Sequence, residues 1–288
     1  MTPELAGGLA LALASAAGLN WGYFVQHGVA SALPPLTLRR PIVSLRLLFG
    51  NLRWLVGFFV GIGGWVLYVA ALALAPLSLV QAASAGGIGL LALLVSRGAG
   101  LTSWERRGVA VSVAGLALLA ASLTGHTAST VSGTWPWVAV WVAVSVALAA
   151  LAATRPARWL SGGAGLGIAA GILYAAGDVA TKAATHGGAS FAFVPVLLAC
   201  HGLAFVALQL GFQRGSVLAT AGLATLFTNA LPIAAGTTLF GEGLGSLPVL
   251  RILAFACTVA GATLLARPAP AEHEAAAVSR QVDTILTD

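Results

Sequence analysis

The sequence predicts an all-α integral membrane protein of about nine transmembrane helices, arranged as two inverted four-helix repeats joined by a connector helix. Three observations lead to this fold class: a very apolar composition, nine apolar stretches of bilayer length, and arginines that fall on one side of those stretches. Of 288 residues, 59% are hydrophobic and 8% are charged, with a mean hydropathy of +0.96. Soluble domains carry about a quarter charged residues, so a soluble protein is excluded.

The apolar stretches are long enough to cross a bilayer as helices, which takes about 20 residues. They cover residues 5–26, 54–75, 77–96, 105–123, 135–153, 163–185, 191–213, 216–240 and 247–266. The first stretch contains Ala14-Ser15-Ala16, which is similar to a signal-peptidase site. Because no lysine or arginine precedes this stretch and the apolar run continues to Val25, it is interpreted as a membrane helix.

The positive residues predict the orientation of the chain. Twelve of the 14 lysines and arginines lie on the side that follows odd-numbered spans, counting Arg106 and Arg107 at the very start of span four, and Lys182 and Arg251 are left within spans. Lysine and arginine collect on the cytoplasmic side of a membrane. The pattern therefore predicts a multi-pass protein of the cell (plasma) membrane, with its N-terminus outside and its C-terminus cytoplasmic. The net charge of +6 reflects this topology, and no nucleic-acid partner is expected.

The chain divides into four parts in this interpretation. Residues 1–123 form the first repeat, 124–159 the connector with span five, 160–266 the second repeat, and 267–288 a disordered cytoplasmic tail. Within the first repeat, Arg39, Arg46 and Arg53 recur every seven residues while apolar residues fill another side. This pattern predicts an amphipathic segment over residues 39–53 that lies on the inner membrane surface and is broken at Pro41.

A short repeated pattern indicates the two halves. Ala16-Ala17-Gly18 and His27-Gly28 recur at the same spacing as Ala175-Ala176-Gly177 and His186-Gly187. Each copy precedes a hinged pair of spans, with hinges at 75–78 and 213–216, and a closing helix that carries Gly115 or Gly261. Spans one and six run in opposite directions across the membrane, so the two units would be inverted. Inverted repeats are typical of secondary transporters.

Polar side chains inside apolar spans are the candidates for a substrate or ion pathway, because each costs free energy unless it is paired or hydrated. The candidates are Asn20, Tyr68, Gln81, Ser84, Tyr174, Asp178, Lys182, His201, Thr225 and Asn229. Asp178 and Lys182 share one helix face, where they form either a coupling or binding site or a structural ion pair. His201 is either a proton relay or, as favoured, a structural hydrogen-bonding residue. For His27 the favoured position is an interfacial aromatic belt.

Two spans contain features that weaken a helix at corresponding positions. Pro232 removes an amide hydrogen bond, and Gly86-Gly87 lowers helix stability through backbone entropy. Gly86, Gly87 and Pro232 are therefore the candidate hinges of a site that alternates its access, and the alternative is that they only aid packing. The glycine series 57, 61, 64 and 163, 167, 171 are assigned to close helix packing.

Catalytic and cofactor motifs are absent from the sequence. It contains no Gly-x-Ser-x-Gly, no metal-ligand spacing of histidine or cysteine, and no phosphate-binding loop with a lysine. Neither an enzyme, nor a metal site, nor a cofactor is predicted. Cys200 and Cys257 lie in separate spans and are interpreted as small core residues. The expected partners are the lipid bilayer and a small-molecule or ion substrate, and a homodimer is left open.

The segment at 64–96, followed by Trp104-Glu105-Arg106-Arg107-Gly108 and Gly115, resembles the drug/metabolite transporter (DMT) superfamily of EamA-like helical repeats. The span order and the hinge after Ala75-Pro76 are most similar to the NIPA-type magnesium transporter branch. The resemblance implies an alternating-access transporter, and the branch implies transport of a divalent cation.

The second span offers Trp65 and Tyr68 and no acidic residue, which departs from the magnesium-transporting branch. The main prediction is therefore a gradient-coupled secondary transporter of a small solute, with the coupling proton bound at Asp178 or His201. The alternative is a NIPA-like divalent cation (magnesium) transporter. A lipid-handling or scaffold membrane protein without solute flux is the second alternative.

Overall fold

The structure is a computed structural model that describes residues 3–37, 39–74, 77–98, 100–122, 135–154, 160–184, 192–239 and 248–267. These residues form ten α-helices and no β-strand, so the all-α prediction is confirmed for them. The helices are α1 (Pro3–Ala30), α2 (Pro41–Phe49), α3 (Leu52–Leu74), α4 (Leu77–Gly98), α5 (Ser103–Ser122), α6 (Trp135–Thr154), α7 (Ala164–Ala184), α8 (Phe193–Phe212), α9 (Leu223–Leu239) and α10 (Pro248–Leu265). A π-helical turn, Leu218–Gly222, leads directly into α9.

Each of the nine predicted spans coincides with one helix, α1 or α3 to α10. Four described helical stretches are long and apolar enough to cross a membrane: Ala6–Ala30, Trp135–Thr154, Phe193–Phe212 and Leu218–Gly236. A fifth is added if α2 and the first part of α3, which are bent by 90°, count as one span. The protein is therefore a multi-span membrane protein, and the full count of nine spans stays a prediction. The predicted tail beyond Arg267 lies outside the described residues.

Local sequence signals explain several helix starts. Helix α2 begins at Pro41, whose fixed φ suits a first turn, so the expected break at this residue is the beginning of the helix. Before α5, Thr102 and Glu105 form a capping box: the Thr102 N–H donates to Glu105 Oε2 at 2.9 Å, and the Glu105 N–H donates to Thr102 Oγ1 at 3.2 Å. At the start of α3, the Trp54 N–H donates to Asn51 Oδ1 at 3.0 Å.

Small residues let the helices approach closely. Helix α1 packs mainly against α3 and α4, and α7 packs against α8, α6 and α9. A Cβ atom on Gly22 would lie 2.7 Å from the Gly57 carbonyl oxygen, and one on Gly64 would lie 2.9 Å from a backbone nitrogen of α1. On α7, a Cβ atom on Gly171 would lie 2.7 Å from the Ala224 carbonyl oxygen. These contacts show both glycine series at close helix interfaces, as the sequence predicts.

Helices α5 and α10, which close the two predicted repeats, pack against each other. A Cβ atom on Gly115 would lie 2.8 Å from the Thr258 backbone nitrogen, and one on Gly261 would lie 2.8 Å from the Ser112 backbone nitrogen. Both late glycines therefore lie in this interface. The inverted arrangement of the two repeats stays a prediction.

The outer surface of the helix bundle is strongly apolar. Trp135, Val249 and Ile252 expose 68%, 67% and 69% of their surface, respectively. Apolar side chains at this level of exposure are unfavourable in water but suited to the hydrocarbon core of a bilayer. The surface thus agrees with the composition in indicating a membrane environment.

Candidate functional site

A cavity of about 300 Å³ lies between α1, α3, α4, α7, α8 and α9. Eight of the ten predicted pathway residues line it, namely Asn20, Tyr68, Ser84, Tyr174, Asp178, His201, Thr225 and Asn229. The side chains of the other two, Gln81 and Lys182, lie outside the part of the chain that the structure describes. The cavity therefore brings together residues that are spread over more than two thirds of the sequence.

The charged centre of the cavity is Asp178 on α7, which faces His201 on α8. The distance from His201 Nε2 to Asp178 Oδ1 is 3.5 Å. His201 Nδ1 lies 2.9 Å from the Leu197 carbonyl oxygen, which can only accept, so Nδ1 carries a hydrogen and Nε2 is the atom turned towards the carboxylate. The Asp178 side chain remains 41% exposed, and this exposure is towards the cavity that it lines. The carboxylate is thus both partnered and open to a ligand.

Gly177 on α7 leaves space for the His201 ring beside Asp178. A Cβ atom on Gly177 would meet the His201 imidazole, so only glycine leaves room for the ring at this position. The Tyr174 ring contacts the same imidazole nearly edge-on, with 5.7 Å between centroids. Residues 174, 177 and 178 fall on one helix face because they are three and four positions apart. The sequence predicts the shared face of Tyr174 and Asp178, but it does not identify His201 as the partner.

Two asparagines face the cavity from α1 and α9. The Asn20 side-chain amide donates to the Ala16 carbonyl at 2.8 Å, and the Asn229 side-chain amide donates to the Thr225 carbonyl at 2.7 Å. Both amides therefore bond one turn back along their own helix. Asn20 Oδ1 is buried and has no hydrogen-bond partner among the described residues. A buried acceptor without a partner is unfavourable by about 1–3 kcal/mol, so this oxygen lowers the stability of the protein beside the cavity.

A series of hydrogen-bonded polar side chains lies next to the cavity and was not predicted from the sequence. The Trp54 indole N–H donates to Gln209 Oε1 at 3.0 Å, and the Gln209 amide donates to Gln26 Oε1 at 2.7 Å. The Gln26 amide then donates to the Gly57 carbonyl at 3.3 Å. Gln26 itself lines the cavity. Gln26 and Gln209 are polar residues in apolar spans, so the criterion that selected Gln81 would also have found them.

Further hydrogen bonds join the end of α1 to the turn after α8. The Gln213 amide donates to the Ala30 carbonyl at 3.0 Å, and Gln213 Oε1 accepts from the Leu36 N–H at 2.8 Å. His27 Nε2 lies 3.0 Å from the Gly215 carbonyl oxygen. His27 therefore bonds to the turn after α8, and the interfacial belt position that the sequence favoured stays a prediction. These bonds join the C-terminal ends of α1 and α8.

The candidate hinges have different surroundings. Pro232 lies inside α9, which continues to Leu239. A Cβ atom on Gly87 would meet the Asn20 side chain, so this glycine provides space for a cavity residue. The surroundings of Gly86 lie outside the described part of the structure. The sequence did not predict the π-helical turn before α9, and such turns are frequent at functional sites.

Apolar helices on the outside, with a cavity between them that contains a few polar groups, define a multi-span α-helical membrane protein. The chain is 39% identical over 85 residues to a curated protein named as the probable magnesium transporter NIPA9 of Arabidopsis thaliana. The match covers 30% of this chain but only 24% of the length of that relative. No family model and no solved structure matches the chain. The similarity is distant and partial, and it lies with the NIPA-type proteins that the sequence resembles.

Proposed function

We propose that this protein is a secondary transporter that carries a small cation through the central cavity, with Mg²⁺ as the first candidate. The observation that carries this proposal is the charge of the cavity wall. Among the described lining residues, Asp178 supplies the one carboxylate, and there is no lysine or arginine. His201 is the protein partner of this carboxylate, and a bound cation would supply a further partner at its exposed side.

The volume and the oxygen atoms of the cavity suit a hydrated divalent ion. With Mg–O distances of 2.0–2.1 Å, Mg²⁺ and its first water shell occupy about 180 Å³, which is less than the cavity volume of about 300 Å³. The described residues contain no group of three or more His, Cys, Asp or Glu that could hold a metal ion. The proposal is therefore an ion that keeps its water shell, held by Asp178 and by neutral polar side chains of the wall such as Ser84 and Asn229.

The proposed transport cycle alternates access between two sets of helices. Helix α1 with α3 and α4 has the same pattern of neighbours as α7 with α8 and α9, which supports the inverted-repeat proposal. The cavity lies between these two sets, and the hydrogen bonds of Gln209 and Gln213 join the sets at one end. With the N-terminus outside, this joined end faces the cytoplasm in the proposed cycle.

A gradient-coupled transporter of a small organic solute is the second candidate function. The cavity walls are rich in aromatic rings: Tyr23, Phe58, Trp65, Tyr68, Tyr174 and Phe205. Aromatic walls with a few polar groups are typical of sites for organic ligands, including organic cations. In this case Asp178 or His201 would bind the coupling proton.

Flux through the purified full-length protein in liposomes tests the first candidate. A Mg²⁺-sensitive dye inside the vesicles should report Mg²⁺ entry above the level of empty liposomes. Asp178→Asn should lower the initial rate by about tenfold or more, because it removes a charge-assisted contact of about 1.5–3 kcal/mol. Glu4→Gln removes the same charge from an exposed position at the start of α1 and should leave the rate unchanged.

Other outcomes separate the remaining candidates. Proton-driven uptake of an organic solute, without Mg²⁺ entry, would support the second candidate. If neither flux appears and Asp178→Asn only lowers the temperature of unfolding, a scaffold or lipid-handling role replaces transport.

A further inference from the structure

We infer that α2 and its flanking residues form a binding surface for the headgroups of anionic phospholipids. Residues 39–53 contain four arginines, Arg39, Arg40, Arg46 and Arg53, and no acidic residue. All four side chains are exposed, and no ion pair found among the described residues involves them. The segment therefore presents four uncompensated positive charges within 15 residues.

Exposed apolar side chains accompany these arginines. Ile42 and Leu52 expose 75% and 76% of their surface, and Leu45 and Phe49 are also exposed. A soluble anion or a nucleic acid could match the charges but would leave the apolar groups in water. A lipid surface matches both, because the apolar groups enter the acyl boundary while the arginines reach the phosphates.

The orientation of α2 fits a position in the plane of the membrane surface. The helix is bent by 90° from the first part of α3, at a break of a few residues. Since α3 is one of the predicted spans, a helix perpendicular to it lies parallel to the bilayer plane. The arginines then lie at headgroup depth, where planar guanidinium groups can bind phosphate oxygens in a bidentate manner.

Contacts with the rest of the protein hold α2 in place. Leu48 is buried in a cluster with Val29, Leu36 and Trp54. The Ser44 hydroxyl donates to the Thr37 carbonyl at 3.1 Å, which ties the helix to the preceding loop. The surface is therefore preorganised, which lowers the entropy that lipid binding must overcome.

The proposed lipid-binding surface on α2 also contacts the hydrogen-bonded polar side chains beside the cavity. The Phe49 ring lies 5.1 Å from the Trp54 ring, measured between centroids, and Trp54 donates to Gln209. Lipid bound along α2 would thus stabilise the junction of α1, α3 and α8. This consequence does not depend on which cargo the cavity carries.

Lipid binding can be measured directly on the purified full-length protein. The protein in detergent is mixed with phosphatidylglycerol or phosphatidylcholine, and bound lipid is counted by native mass spectrometry. The test variant is Arg39→Gln/Arg46→Gln, and the matched control is Arg97→Gln/Arg214→Gln, which removes two exposed arginines elsewhere on the same predicted side. Each arginine near an anionic surface adds about fivefold to the affinity.

We expect the wild-type protein and the control to prefer phosphatidylglycerol, and the test variant to lose this preference by about fivefold or more. Unfolding temperatures in phosphatidylcholine should agree for both variants, so that loss of binding is not loss of folding. Equal loss in both variants, or loss in neither, overturns the proposal. If excess inorganic phosphate displaces the lipid completely, the surface is a phosphate site, and the proposal is also overturned.

Discussion

The side-chain amide of Gln209 donates a hydrogen bond of 2.7 Å to the side-chain oxygen of Gln26, 183 positions earlier in the chain. Trp54 extends this contact by donating to Gln209, so that α1, α3 and α8 are joined at one point. All three side chains are buried. If access to the cavity alternates, the helices must separate at one end, and we expect these bonds to break and form again in each cycle.

The first prediction concerns Gln209→Leu, which keeps the volume but removes both hydrogen bonds. Gln26 Oε1 and the Trp54 indole N–H would be left buried without these partners. We expect a loss of about 1–3 kcal/mol in the free energy of unfolding, measured by thermal unfolding in detergent.

A double variant provides the control for this prediction. Gln26→Leu/Gln209→Leu removes two polar partners together, so it should be less destabilised than the sum of the single variants. If Gln209→Leu unfolds at the wild-type temperature, the hydrogen-bond chain does not stabilise the helix junction.

The second prediction concerns the space that Gly177 leaves for the His201 ring. Gly177→Ala would place a methyl group against the imidazole ring and push it away from Asp178. We expect lower transport and a loss of about 1–3 kcal/mol in stability, as for overpacking elsewhere. Gly202→Ala is the matched control, because a Cβ atom at this position has no other atom within 4 Å. Equal effects of the two substitutions would show that the space at Gly177 does not position His201.

The third prediction tests the interface between α5 and α10. Gly115→Ala should destabilise the protein by about 1–3 kcal/mol, because the added methyl group would lie 2.8 Å from the Thr258 backbone nitrogen. Gly261→Ala should behave similarly. Gly63→Ala, on an open face of α3, should be neutral or slightly stabilising through helix propensity. If Gly63→Ala lowers the unfolding temperature as much as Gly115→Ala does, this packing explanation is contradicted.

Much of the fold could be predicted because span length and hydropathy are local properties of the sequence. The nine apolar stretches appear as helices, and eight of the ten pathway residues line one cavity. The reason is physical: a polar group in an apolar helix faces the protein interior or water, not lipid. Eight of the 19 residues that line the cavity thus follow from the sequence, whereas its apolar residues and Gln26 do not.

The partners of these residues could not be predicted, because they lie on other helices. The spacing of four positions made Lys182 a possible partner of Asp178, but its side chain lies outside the described residues. The structure places His201 of α8 beside the carboxylate. The contact between Gln26 and Gln209 depends in the same way on how α1 and α8 pack. The π-helical turn at 218–222 has no sequence signature that distinguishes it from an ordinary helical turn.

The last prediction separates two roles of Gly87, which the sequence makes a candidate hinge. A Cβ atom on Gly87 would meet the Asn20 side chain, whereas one on Gly89 would meet nothing within 4 Å. If glycine is needed here for backbone freedom, Gly87→Ala and Gly89→Ala should both slow transport, because both stiffen the same part of α4. If the need is for space, only Gly87→Ala should slow it.

We expect the second outcome. Gly87→Ala should displace Asn20 and lower the rate of transport in liposomes, whereas Gly89→Ala should retain the wild-type rate and gain up to about 1 kcal/mol of stability from helix propensity. Asn20→Ala/Gly87→Ala then tests the contact itself, because removing the displaced side chain should restore the unfolding temperature that Gly87→Ala lowers. Slow transport in Gly89→Ala would return Gly87 to the role of a hinge, since backbone freedom is the property that these two glycines share.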